Sequence, residues 1–164
     1  MLVEQPIFKD STHFDRRVAA QLLANTKRIE RKTFPTIEVF DFDTELKKRN
    51  THIVYAVGDN PDQKGDACSV AYLVYARTGR TALLHKICVA QRHRGKGVGR
   101  QMMTWFLSEL NKRGCEHVQL WVDESRESVR ALYVSLGFRQ VDYVADYYSP
   151  GRAGLKMILY LQSG

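Results

Sequence analysis

Between Val89 and Arg100 the chain reads Val-Ala-Gln-Arg-His-Arg-Gly-Lys-Gly-Val-Gly-Arg. An apolar segment ends there, alternating glycines follow at Gly95, Gly97 and Gly99, and a helical apolar pattern begins at once. Glycine admits positive φ and lets backbone come close to a ligand. The first amides of a helix lack intrahelical partners and face whatever lies beyond the N-terminus. The helix dipole favours negative charge at that end. Arg92, Arg94, Lys96 and Arg100 add four cations within the same stretch. The chemistry this combination suits is the cradling of a diphosphate. It is not a P-loop, because no Gly-Lys-Ser/Thr occurs, and the strictly alternating glycines do not make a dinucleotide fingerprint.

Other reactive side chains are sparse. Three cysteines, Cys68, Cys88 and Cys115, stand far apart with no Cys-x-x-Cys pair. The five histidines show no metal-ligand spacing, so no metal is expected. Unpaired thiols suit a reducing, cytoplasmic setting. Lys and Arg number 25 against 18 Asp and Glu, a net charge of +7, which points to an anionic partner. The loop cations account for four of those seven charges, and Arg16, Arg17, Lys27, Arg28, Arg31 and Lys32 place most of the rest on the first helix. Nucleic acid is disfavoured, since basic residues are not interleaved with aromatic ones. No apolar run is long enough for a membrane span, and the N-terminus lacks the pattern of a secretory leader.

The elements that must position the loop follow from periodicity. Phe14, Val18, Leu22 and Ile29 recur at helical spacing and predict a helix over about 14–32, stopped by Thr33-Phe34-Pro35. A short helix is expected over 43–49. Strands are expected at 52–57, 69–77 and 82–89, with turn chemistry from Gly58 to Asp62 and a tight turn at 78–80. After the loop, Val98, Met102, Phe106 and Leu110 form one helical stripe ending at Gly114. A strand at 118–122, a helix at 125–136 with Val129, Leu132, Tyr133 and Leu136 inward, and strands near 139–147 and 155–161 complete the chain. The 164 residues show no linker or repeat and read as a single α/β domain (α+β in its order of elements) with a mixed central sheet.

The run Arg94-Gly95-Lys96-Gly97-Val98-Gly99 resembles the acetyl-CoA signature Gln/Arg-x-x-Gly-x-Gly/Ala of the GNAT acetyltransferases, and Ala131-Leu132-Tyr133-Val134-Ser135-Leu136-Gly137-Phe138 is similar to their Tyr-x-x-x-Gly-Phe segment. The resemblance is firmest over 83–161. It implies a sheet of six or seven strands with about four helices. It also implies acetyl-CoA as co-substrate, held by the loop amides of 94–100, and contact of the pantetheine arm with Ile87, Cys88 and Val89. Tyr133 is then the general acid beside the thioester sulfur. Phe34-Pro35, and Tyr147-Tyr148 followed by Lys156-Met157, resemble substrate-binding segments of the N-terminal (Nα) protein acetyltransferases, including the ribosomal-protein alanine acetyltransferase. The hairpin match is partial, since their Asp-Ala step reads Ala153-Gly154 here.

Two positions depart from that pattern. Trp121 stands where those enzymes carry a Glu or a His, and Trp cannot take a proton. His85 is the substitute general base, on the same strand face as Leu83, Ile87 and Val89. A satisfied core histidine is its plain structural alternative, and Asp123 or Glu124 acting through water is another route for the proton. Arg126 replaces an Asn that often touches coenzyme A. The expected acceptor is the α-amine of a protein or peptide, with an auxiliary subunit or ribosome docking left open. The alternatives are a small amine (aralkylamine or polyamine), a lysine side chain, or a non-catalytic module binding coenzyme A or nucleic acid.

Overall fold

The computed structural model describes residues 6–59 and 67–162. The N-terminal leader reading and residues 60–62 of the expected turn lie outside these. Among the described residues seven strands pair in the order β1-β2-β3-β4-β5-β7-β6. Four α-helices accompany them, so the expected mixed sheet with about four helices is found. The chain groups into two compact units, one built from residues up to Val74 with Lys86–Met102, the other from Tyr75–His85 with residue 103 onward.

In the first unit, β1 (Ile7–Asp10) pairs antiparallel with β2 (Thr51–Asp59), Ile7 opposite Val57 and Asp10 opposite Val54. Periodicity missed β1, because four residues with one buried side chain carry no alternation. Helix α1 (Arg16–Thr33) starts two residues later than its apolar spacing predicts. Asp15 is extended, and its carboxylate accepts the Val18 N–H at 2.9 Å, which makes Asp15 the cap. The helix ends as expected at Phe34, ahead of Pro35. Helix α2 is only Phe42–Glu45, since Asp41 caps Thr44 and the chain turns from Leu46 onward. Leu22, Phe42, Ile53, Tyr55, Tyr72, Val74 and Cys88 make the core of this unit. It draws on α1, α2, β2, β3 (Ala67–Thr78) and β4 (Thr81–Val89).

In the second unit, β4 runs parallel to β5 (His117–Asp123), with Thr81 to Leu84 opposite His117 to Leu120. β7 (Arg152–Tyr160) pairs antiparallel with both β5 and β6 (Arg139–Ser149). Helix α3 (Val98–Lys112) begins in the first unit and buries Met103, Phe106 and Leu110 in the second, as its stripe predicts. Helix α4 (Glu127–Ser135) buries Tyr133. The expected turn at 149–151 joins β6 and β7; β6 runs two residues past its predicted end, whereas β7 starts three residues before its predicted start and ends one residue short.

Leu22 is fully buried and Asp15 is an exposed cap, so the two substitutions separate core from capping energy. Leu22→Ala should cost about 2–5 kcal/mol in urea unfolding, and Asp15→Ala about 1 kcal/mol.

Candidate active site

The loop ahead of α3 lies wholly in the first unit. Gly95 and Gly97 have φ of 75° and 79°, and a Cβ on either would meet nothing within 4 Å. Left-handed backbone, not crowding, therefore requires glycine at both positions, and the space above them is open. The Gln101 N–H donates to the Gly97 carbonyl at 3.0 Å, which closes the first helical turn. The amides of Val98 and Gly99 precede that bond, at the end where a helix leaves its first donors without intrahelical acceptors. Val98 is buried and anchors the helix start.

Arg92, Lys96 and Arg100 are exposed around this opening. Arg94 is exposed too, but its Nε donates to the Val89 carbonyl at 2.9 Å and ties the loop back to β4. His93 adds no charge at neutral pH. Burial, then Lys96 and Arg92, hold its imidazole below the ordinary histidine value. The donor set is thus backbone amides plus three outward cations. It fits the phosphates of coenzyme A.

The ladder between β4 and β5 ends at Leu84 and Leu120, while β4 runs on to Val89. Ile87 and Val89 are half-buried. The Cys88 thiol points into the core, 4.0 Å from the Thr33 hydroxyl, so only its backbone is available to a ligand. Phe34 is half-buried with the Lys86 Nζ 3.7 Å from its ring centroid, and Pro35 is exposed. His85 is exposed, which sets aside the core-histidine alternative.

The remaining predicted residues come together in the second unit. Trp121 is half-buried and stacks on Tyr147, with centroids 4.4 Å apart and planes 9° from parallel. Tyr147 meets Tyr148 edge to face at 4.9 Å. The Arg152 guanidinium lies 5.5 Å from the Tyr148 ring centre. Arg152 also donates twice to the buried Asp123, at 2.8 and 2.7 Å, and Asp123 accepts from the Ser125 N–H and hydroxyl. Burial alone would raise the Asp123 carboxyl, but those four hydrogen bonds outweigh it and hold it below the ordinary value. Asp123 is therefore a paired anion with both oxygens already engaged by Ser125 and Arg152.

Burial pushes the Tyr133 phenol above its ordinary value, opposed by the charge of Arg126 and aided by Tyr148. Burial, with Tyr147 and Asp123, pushes Tyr148 up to about 12, against Arg126 and Arg152. Both hydroxyls thus stay protonated near neutral pH and act as donors. Arg126, exposed ahead of α4, is the cation both phenols feel.

The aromatic stack has a steric condition that sequence reasoning missed. A Cβ at Gly154 would fall 2.7 Å from the Tyr147 ring, so glycine alone seats that ring. Asp146 supplies the other half of the arrangement. It has φ 55°, and its carboxylate accepts the Gly151 N–H at 2.7 Å. The register of β6 shifts between Val144 and Ser149, which re-aims the two tyrosines. Also missed were Glu30 and Lys86. Each stands in a row of buried residues, Glu30 after Leu22 and Thr26 on α1, Lys86 between Leu84 and Cys88 on β4. A charge within such a row was the available signal. Among the described residues no group of three or more His, Cys, Asp or Glu is placed to hold a metal. Among the described residues no helix is long and apolar enough to cross a membrane.

The Acetyltransferase (GNAT) family profile matches residues 18–138, and the chain belongs to that family. The ribosomal protein bS18-alanine N-acetyltransferase of Escherichia coli (strain K12) is 36% identical over 67 residues, 41% of this chain and 45% of that protein. An N-alpha-acetyltransferase of Arabidopsis thaliana, MAK3, is 29% identical over 73 residues, 44% of this chain and 38% of its own. These matches span under half the length of either curated relative. The fold is similar to the crystal structure of the Escherichia coli ribosomal-protein alanine N-acetyltransferase, with TM-score 0.74 and 21% identity over 96% of both chains. It is also similar to a chain of the NatC complex bound to Gag peptide and CoA, with TM-score 0.76 and 17% identity over 96% of this chain and 99% of that one.

The Asp123 environment makes a testable demand. A carboxyl held below its unfolded value stabilises the fold above that value and ceases to as pH falls through the folded one. Asp123→Asn should lose about 1–2 kcal/mol at neutral pH, less than for a fully buried pair because Arg152 stays partly in water. The loss should shrink steadily below about pH 4, as followed by urea unfolding across pH.

Proposed function

We propose that this protein transfers the acetyl group of acetyl-CoA directly to a primary amine, and that the amine is the N-terminus of a protein or peptide. The observation that carries the first part is the open, left-handed glycine loop at the start of α3 with its outward cations. Family membership supports the same reaction. The second part is supported by Phe34-Pro35 and Tyr147-Tyr148, and by similarity to relatives named as a ribosomal protein alanine N-acetyltransferase and an N-alpha-acetyltransferase.

Bound acetyl-CoA supplies the activated acyl group. The chain's own residues then have four tasks. The amides of 95–100, with Lys96 and its neighbours, hold the phosphates and fix the cofactor's direction. The backbone of 87–89, beyond the end of the β4–β5 ladder, pairs with the pantetheine arm, and an amide there polarises the carbonyl. His85 takes the proton from the amine. Tyr133 keeps its own proton at neutral pH and gives it to the departing sulfur. Trp121 takes no proton; with Tyr147 it forms an aromatic wall.

A second reading, transfer to a small amine or a lysine side chain, is favoured by the exposed strand histidine. The three free cysteines suit a reducing compartment such as the cytoplasm. The exposed basic residues of α1 leave a surface for an auxiliary subunit or a ribosome.

Release of free thiol is the direct assay. Acetyl-CoA with a panel of peptide N-termini should release thiol faster than with polyamines, aralkylamines or an internal lysine. A small amine exceeding every peptide in kcat/KM would transfer the assignment to the second reading. In the active pairing, Tyr133→Phe should lower kcat about 10- to 100-fold and leave acetyl-CoA KM nearly unchanged. His85→Ala should lower the rate about 100-fold and abolish the acid limb of the pH–rate profile. Gly97→Ala should act oppositely to Tyr133→Phe, raising acetyl-CoA KM, because alanine disfavours the φ of 79° found there.

A further inference from the structure

Glu30 is fully buried in the last turns of α1, where the helix dipole disfavours a negative charge. Its carboxylate is surrounded by donors. One oxygen accepts from the Lys86 Nζ and from the Phe40 N–H at 2.9 Å, and the other accepts from the Tyr72 hydroxyl. Lys86, nearly buried itself, donates also to the Glu38 carbonyl at 3.2 Å and sits over the Phe34 ring. All these groups belong to the first unit. The ion pair therefore grips the segment 34–40 at three places: at its start through Phe34, in the middle through Glu38, and at its end through Phe40.

We propose that Glu30 and Lys86 are positioning residues that hold segment 34–40 as a fixed wall of the acceptor site, so that their loss weakens acceptor binding and leaves cofactor binding intact. This rests on the reading that Phe34 and Pro35 face the acceptor. A buried ion pair is a poor source of stability, because taking both charges out of water offsets most of their attraction. Its value here is geometric. A carboxylate with no water must keep its donors, and those donors belong to the segment that needs a fixed position.

Steady-state kinetics with the fastest acceptor of the panel tests this. The double variant Glu30→Met/Lys86→Met removes both charges but leaves the Phe40 N–H and the Tyr72 hydroxyl without their acceptor, so its melting temperature should fall by roughly 5–10 °C with the transition still cooperative. Its acceptor KM should rise roughly tenfold or more through misplacement of the wall, with acetyl-CoA KM within about twofold. Lys86→Arg, which keeps charge and reach, should recover most of the loss, whereas Lys86→Gln should not. Unchanged acceptor KM in the double variant, or an equal rise in both KM values, overturns the proposal. Hydrogen exchange on the native protein gives a readout that needs no variant. The Phe40 amide should exchange slowly, and exchange at the rate of an open loop overturns the proposal too. Phe34→Ala separates the two readings. If it leaves acceptor KM unchanged, the assignment of Phe34 to the acceptor site fails. If it raises acceptor KM while the Glu30 and Lys86 variants do not, only the positioning role fails.

Discussion

Glu30 carries a charge into a place without water, and much of the first unit is arranged around that fact. An ionised carboxylate in an apolar interior is tolerable only when donors replace its hydration shell. Tyr72 from β3, Lys86 from β4 and the Phe40 amide from the loop after α1 supply them. Three elements distant in sequence are thereby tied to one atom group. The second unit repeats the device with Asp123, which joins the end of β5 to β7 through Arg152 and to the turn before α4 through Ser125. In the first unit the segment fixed by the carboxylate contains Phe34 and Pro35; in the second it is β7, which pairs with the strand bearing Tyr147 and Tyr148.

The glycine loop works by the opposite economy. Beyond Val98 no side chain there is fully buried, and the first amides of α3 lie ahead of its first hydrogen bond. The positive φ at Gly95 and Gly97 is backbone that glycine adopts at low cost. The cations nearby are exposed. Exposed cations attract a polyanion, while backbone amides at a helix start can give it a fixed position.

What was legible in the sequence divides along the same line. The loop, helix α3 and the Tyr133 segment were readable because local patterns specify them: glycine spacing, a stripe at helical period and a stop at Gly137. β1 escaped because its only reason to be a strand is its partner β2. The start of α1 was placed early because Phe14 fits the apolar spacing, whereas the Asp15 cap decides the boundary. Asp123 looked like a free acid until Arg152, 29 positions away, was found on it. Glu30 and Lys86 drew no expectation from the sequence, since their pairing across 56 residues leaves little local trace.

The Trp121–Tyr147 stack has an implication for how substitutions combine. Tyr147 is seated against Trp121 where position 154 has no side chain and where Asp146, at positive φ, stands in the register shift of its strand. A side chain at 154 would take the space the Tyr147 ring fills, so replacing that ring by a small residue would relieve the clash. Positions 121, 146, 147 and 154 therefore act as one steric unit, and the energies of changes within it do not add.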